Sequence, residues 1–152
     1  MRWELKKFRE LSPEQLYALL RLRAEVFVVE QTCAFQDLDN KDQHCFHLLG
    51  YEKDPSEQEV LVAYTRLVPP GISYEAASIG RVVTSPSHRK KGYGKLLMEQ
   101  SIKKCEQLFG DNTLVIGAQC YLVAFYQSFG FVASGEIYLE DGIEHIEMTR
   151  QR

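Results

Sequence analysis

The sequence predicts an α+β fold: a central mixed, mostly antiparallel sheet of six to seven strands with helices on both faces. Three observations predict it. Strand patterns outnumber helix patterns, in the order β-α-β-β-β-α-β-α-β-β. A strand–helix–strand crossover lies mid-chain, and such a unit packs its helix on a sheet face. The chain of 152 residues shows no repeat or linker, so a single domain spanning residues 1–152 is expected.

The elements follow in order. Trp3 to Phe8 reads as a first strand, with Trp3 and Leu5 on one side. Ser12-Pro13-Glu14-Gln15 starts a helix: Ser12 caps, Pro13 suits the first helical position and Gln15 completes a capping box. Leu16, Leu19, Leu20, Arg23 and Phe27 keep helical spacing to about Val28. Glu30 to Gln43 is polar and reads as a loop with room for a short helix. Cys45 to Tyr51 and Val60 to Val68 form a hairpin around Asp54-Pro55-Ser56-Glu57. Pro69-Pro70-Gly71 ends it, and Ala76 to Thr84 is the next strand. Gly92 to Phe109 is a helix with Met98, Ile102, Cys105 and Phe109 on one face. Thr113 to Ala118 is a short apolar strand and Leu122 to Phe129 a short helix. Gly130 suits the left-handed residue past that helix, letting Phe131 fold back on Phe125. Val132 to Tyr138 and Ile143 to Arg150 close the fold as a hairpin around Glu140-Asp141-Gly142.

Composition excludes several classes. Hydrophobic residues at 45% and charged residues at 26% are globular proportions. A net charge of −3 argues against a nucleic-acid-coating protein. The cysteines Cys33, Cys45, Cys105 and Cys120 form no C-x-x-C pair, so a reducing, cytoplasmic setting is expected. The start, Met1 to Lys7, is charged, and no stretch approaches a membrane span. No secretory leader and no membrane partner are therefore expected. His44, Cys45 and His47 do not make a metal site, because extended neighbours diverge.

The informative segment is Ile79 to Leu97. A strand ends, a short loop carries Arg89-x-x-Gly92-x-Gly94, and a helix begins. A helix N-terminus leaves N–H groups unpaired and carries partial positive charge, which suits a pyrophosphate. Gly92 and Gly94 let backbone approach phosphate oxygens closely. His88, Arg89, Lys90, Lys91 and Lys95 concentrate positive charge there in an acidic protein. A plain turn is the alternative for Gly-x-Gly taken alone. It is not a Rossmann fingerprint, since Leu97 stands where the third Gly belongs, nor a Walker loop, since no Gly-Lys-Ser/Thr follows.

Two segments together resemble the GNAT superfamily of acyl-CoA-dependent N-acyltransferases. One is Arg89-Lys90-Lys91-Gly92-Tyr93-Gly94 after a strand; the other is Phe125-Tyr126 followed by Phe129-Gly130-Phe131. Phe27-Val28-Val29-Glu30-Gln31, Gly80-Arg81-Val82 and Tyr126 to Phe131 look similar to its ElaA-like branch. The resemblance implies acetyl-CoA as co-substrate and a primary amine, on a small molecule or protein, as acceptor. It implies that the backbone of Val82, Val83 and Thr84 pairs with the pantetheine arm. Arg89, Lys90, Lys91, Gly92, Tyr93 and Gly94, with Lys95, would hold the pyrophosphate. Gln119 stands where many members have Asn and would bond the cofactor arm. Tyr126 would sit near the thioester sulfur as general acid.

An alkyl amine arrives protonated, so a base is required. Many members carry Glu on the strand before the loop; here that strand has Arg81 and no carboxylate after Glu75. Glu30, His47 and His145 are the candidates. The Glu30 to His44 loop and the Glu140 to His145 hairpin are expected to shape the acceptor pocket. A homodimer is the commonest oligomer and is the expectation here. A non-catalytic acyl-CoA-binding sensor of the same fold is the alternative.

Overall fold

The computed structural model describes residues 1–110 and 113–151. Strand β1 (Arg2–Lys7) leads through a capped start into helix α1 (Pro13–Arg23). The expected capping box forms: Ser12 Oγ accepts from the Gln15 N–H at 3.1 Å, and Gln15 Oε1 accepts from the Ser12 N–H at 3.1 Å. The helix does not run to Val28 in one geometry. It widens to a π-helix over Ala24–Glu30, with the Gln31 and Cys33 amides donating five residues back, to Val26 and Val28. No glycine or proline lies in that segment to account for the widening.

Strands β2 (Phe46–Lys53), β3 (Glu59–Val68) and β4 (Ala77–Thr84) follow. Then come helix α2 (Tyr93–Phe109), β5 (Leu114–Gln119), the short helix α3 (Val123–Gln127), β6 (Val132–Glu140) and β7 (Ile143–Arg150). The strands form one sheet in the order β1-β2-β3-β4-β5-β7-β6. Every neighbouring pair is antiparallel except β4 and β5. Helices cover both faces: α1 packs Leu19, Leu22 and Val26 on Leu49, Tyr64 and Val83. From α2, Leu97 meets Leu48 and Ala63, while Met98, Ile102 and Cys105 meet Ile79, Leu114, Ile116 and Met148. Leu48 and Leu49 thus serve opposite faces, as alternation requires. No helix among the described residues is long and apolar enough to cross a membrane.

Two features set up the cleft. First, β4 and β5 pair only at Ala77↔Leu114 and Ser78↔Val115 and then part. Second, β4 carries a bulge: Tyr64 pairs with Val83 and Arg66 with Gly80, leaving Arg81 and Val82 opposite Thr65. Arg81 there has a left-handed φ of 53°.

A buried charge network holds the loop between α1 and β2 over this bulge. Arg23, fully buried, donates to Asp37 at 3.0 Å and Asp42 at 2.8 Å. Arg66 bridges Asp39 and Asp42 at 2.8 and 2.9 Å. Arg81 reaches Asp37 at 2.8 Å and Asp39 at 3.4 Å. Burial alone would raise the Asp39 and Asp42 carboxyls. Hydrogen bonds from Arg66 to Asp39 and from Arg23 to Asp42 outweigh it, so both lie below the usual carboxylate range.

Asp42→Asn therefore leaves buried guanidinium groups under-compensated and should cost about 3 kcal/mol, read by urea unfolding at neutral pH. Because the folded carboxyl is depressed, that cost is full above about pH 4 and shrinks as pH falls toward the folded value. A pH-independent cost would disprove an ionic origin.

Candidate active site

The parted strands open a cleft of about 790 Å³ lined by β4 from Ser78 to Thr84 and by Ile116, Gly117 and Gln119 of β5. Its floor and rim also include Phe27, Glu30, Arg89, Gly94, Tyr126, Glu140 and His145. Along β4 the backbone toward the gap has no partner strand beyond Ser78. The Ser85 amide donates to Val62 at 2.8 Å, so Ser85 faces β3. Alternation turns Val83 the same way, toward Tyr64, and leaves Val82 and Thr84 presenting N–H and C=O to the gap. Val83, expected to pair with the pantetheine arm, instead spends its backbone on β3 and buries its side chain against α1.

At the start of α2, Gly92 takes φ 75° and no side chain caps the helix. The amides of Tyr93, Gly94 and Lys95 have no hydrogen-bond partner among the described residues. A Cβ on Gly94 would meet only Phe125, at an ordinary 3.8 Å. The protein's own packing therefore does not demand glycine there, whereas a ligand pressed on the helix end does. Free amides, an unpaired strand edge and a bare glycine fit a diphosphate joined to an amide-bearing arm.

Not all the local positive charge is free. Arg89 makes a bidentate pair with Glu30 at 2.7 and 2.8 Å. Lys91 lies 3.5 Å from Glu52, and His88 Nε2 lies 3.8 Å from it. Lys90 and Lys95 have no carboxylate within 4.0 Å among the described residues. Next to Glu30, Gln31 exchanges side-chain hydrogen bonds with Gln119, both at 3.3 Å.

Tyr126 sits on α3 with its residue 7% exposed and lines the cleft. Its hydroxyl has no hydrogen-bond partner among the described residues. Burial, with a smaller contribution from Tyr121, pushes its pKa up to about 12. The turn behind it is a Schellman cap: Phe131 N–H donates to Tyr126 C=O and Gly130 N–H to Gln127 C=O. The returning Phe131 ring packs on Tyr126 at 6.2 Å, not on Phe125 as expected.

The three base candidates separate. His47 is fully buried and does not line the cleft. Its Nε2 is 2.9 Å from the Asp42 C=O and its Nδ1 is 2.7 Å from the Tyr64 hydroxyl, so both nitrogens are spent in the core. Burial lowers its pKa as well. His47 is corrected to a core histidine. Glu30 reaches the cleft but is occupied by Arg89. His145 reaches the cleft with Nδ1 2.8 Å from the Ile143 C=O. A carbonyl only accepts, so Nδ1 carries the proton and Nε2 of the neutral ring keeps its lone pair. Glu140 lies 3.5 Å from that Nε2.

Residues 25–152 match the acetyltransferase (GNAT) domain model. The chain belongs to the GNAT acetyltransferase family. It is 43% identical to Protein ElaA of Escherichia coli over 98% of this chain and 95% of that protein. The crystal structure of Escherichia coli ElaA superposes with a TM-score of 0.88 at 41% identity, covering 99% of this chain and all 100% of that one. An acyl-CoA N-acyltransferase from Pseudomonas aeruginosa superposes with a TM-score of 0.90 at 41% identity, over 99% of both chains. This GNAT chain is thus of the ElaA-like kind, and acyl transfer from acyl-CoA is the chemistry its family supports.

Sequence reasoning did not single out Ser73 and Tyr74, cleft residues of this acetyltransferase on the loop between β3 and β4. No local motif marks them. Gly117 had a readable role only in three dimensions: a Cβ there would lie 2.7 Å from the Tyr138 hydroxyl and 3.1 Å from that of Tyr74.

Because Glu30 occupies Arg89, Glu30→Gln should tighten CoA binding by roughly two- to fivefold, the worth of an exposed pair. Calorimetry at low salt reads it, and the gain should fade at high salt. Weaker binding would mean that Glu30 orients Arg89 for the phosphates.

Proposed function

We propose that the protein moves an acetyl group from acetyl-CoA to a primary amine by direct attack on the thioester. One observation carries the reading: Tyr126, whose hydroxyl has no partner among the described residues, lines the same cleft as an unpaired strand edge that leads to free helix amides. The arm of the donor lies along Val82 and Thr84, and its diphosphate meets the amides of Tyr93, Gly94 and Lys95 together with Arg89, Lys90 and Lys91. Gln119 takes the arm from the β5 side.

His145 receives the proton of the incoming ammonium at Nε2, and Glu140 stands beside the imidazolium that results. The neutral amine attacks the carbonyl, and the Val82 amide steadies the developing oxyanion. As the C–S bond breaks, Tyr126 donates to the departing sulfur and regains a proton from the nitrogen of the collapsing tetrahedral intermediate, which leaves as the neutral amide. With the phenol near 12 and a thiol near 8.5, complete transfer is uphill by about 5 kcal/mol. That fits inside the roughly 16 kcal/mol barrier of an enzyme turning over about ten times per second. The raised pKa also keeps the phenol protonated throughout the neutral range, as a donor must be.

Tyr126→Phe should leave acetyl-CoA affinity unchanged and slow turnover by about 10²-fold, read by thiol release. His145→Gln should remove the base and lower kcat/KM, with less loss as pH rises and the acceptor deprotonates unaided. Full activity of both variants would remove both residues from the mechanism. A CoA-dependent rise in Tm with no thiol release from any amine would instead favour a non-catalytic acyl-CoA sensor.

A further inference from the structure

The acceptor end of the cleft carries one uncompensated cation. Ser78 and Ile79 lie roughly 15–20 Å along β4 from Thr84 and the α2 amides, at about 3.3 Å per residue. Ser73, Tyr74, Lys41, Arg66 and Phe35 line the cleft around that end. Among the described residues, four Lys and Arg residues line the cleft: Lys41, Arg66, Arg81 and Arg89. Arg89 is paired with Glu30. Arg66 and Arg81 belong with Arg23 to a network in which three guanidinium groups face Asp37, Asp39 and Asp42, so its charges cancel. The Lys41 ammonium has no carboxylate within 4.0 Å among the described residues, although the Lys41 backbone N–H donates to Asp39 at 3.1 Å. Its ammonium donates to Ser73 Oγ at 3.1 Å and retains two further N–H groups. The Ser73 hydroxyl, accepting from Lys41, keeps its own proton to donate.

A second observation points the same way. Arg66 is 3% exposed, yet its Nε is buried with no hydrogen-bond partner. One Arg66 N–H thus lacks an acceptor while its charge is balanced by Asp39 and Asp42, and the net positive charge of this group of residues is that of Lys41. Positive potential there favours an anionic group on a bound molecule and repels a second cation. His145 and Glu140, the proton-accepting pair of the proposed reaction, line the same cleft.

We propose that Lys41 and Ser73 form a carboxylate subsite, so that the acceptor is an amino-carboxylate, such as a free amino acid, and not a simple alkylamine or polyamine. This rests on the acetyl-transfer reading for the fate of the amine, but the subsite itself is a binding claim. The carboxylate takes Lys41 Nζ and the Ser73 hydroxyl, and its amine extends toward His145 and the thioester. Specificity arises because the ester or amide of the same molecule leaves Lys41 without its counter-charge.

The test uses the full chain saturated with CoA, titrated with free amino acids and, for each, its carboxamide. Binding is read by calorimetry and, with acetyl-CoA, turnover by thiol release. At least one acid should bind ten-fold or more tightly than its amide. Lys41→Met should bring that ratio near one, Lys41→Arg should restore most of it, and Ser73→Ala should reduce it several-fold. Unchanged Tm of the variants certifies the fold. Equal binding of every acid and amide, or a preference that survives Lys41→Met, overturns the subsite. A Lys41-dependent preference in binding without thiol release keeps the subsite and refutes the transferase reading instead.

Discussion

The parting of β4 from β5 is the constraint on which the rest depends. A parallel pair that stays in register would seal every backbone group along both strands. Here pairing stops after Ser78 and Val115, and the bulge at Arg81 and Val82 turns the strand away. The exposed edge is a liability in an isolated sheet and an asset when a ligand completes it as a strand. The same divergence leaves Tyr126 lining the cleft. Gly117 belongs to this geometry, because a Cβ there would clash with the Tyr138 hydroxyl and crowd that of Tyr74.

What anchors the bulge is a set of buried charges, of which Asp39, Arg66 and Arg81 also line the cleft. Arg81 holds a left-handed conformation that costs on the order of 1 kcal/mol or more for a residue with a Cβ. Its guanidinium binds the Asp37 side chain and carbonyl at 2.8 and 2.9 Å, which anchors the bulge to the loop after α1. Arg23 and Arg66 tie the same loop to α1 and β3. Packing of α1 on Tyr64 and Val83 then fixes the inner side of β4. The loop and the bulge are thereby one mechanical unit, and it presents Lys41 and Phe35 to the cleft.

Local signals in the sequence carried far. The α2 start, the capping box at Ser12, the Gly130 turn and the last hairpin were all legible, because each depends on residues within one turn of each other. Tyr126 and the Arg89–Lys95 loop were reached through a resemblance that two short motifs supported. The charge network was not legible: its pairs are separated by 14 to 44 residues, and an Arg or Asp in a polar stretch reads as solvated. His47 misled for the same reason, since its partners Tyr64 and Asp42 meet it only through the β2–β3 register and the loop fold. The orientation of Val83 needed the β3–β4 register, which a one-residue shift would invert.

The end of the π-helix couples the two walls. Glu30 and Gln31, adjacent in sequence, grip Arg89 on the α2 side and Gln119 on the β5 side. Both partners are groups that the donor molecule is proposed to use, so its binding free energy is net of breaking these contacts. The ion pair is exposed and worth up to about 1 kcal/mol. The amide pair, at the long distance of 3.3 Å, is worth about 1 kcal/mol at most. A clasp of roughly 2 kcal/mol is undone a few per cent of the time, about 3% by the Boltzmann factor. That is too weak to bar a ligand that gains several charge-assisted bonds from the α2 amides and lysines. It is strong enough to keep Arg89 and Gln119 ordered beforehand, which reduces the side-chain entropy that binding must otherwise overcome.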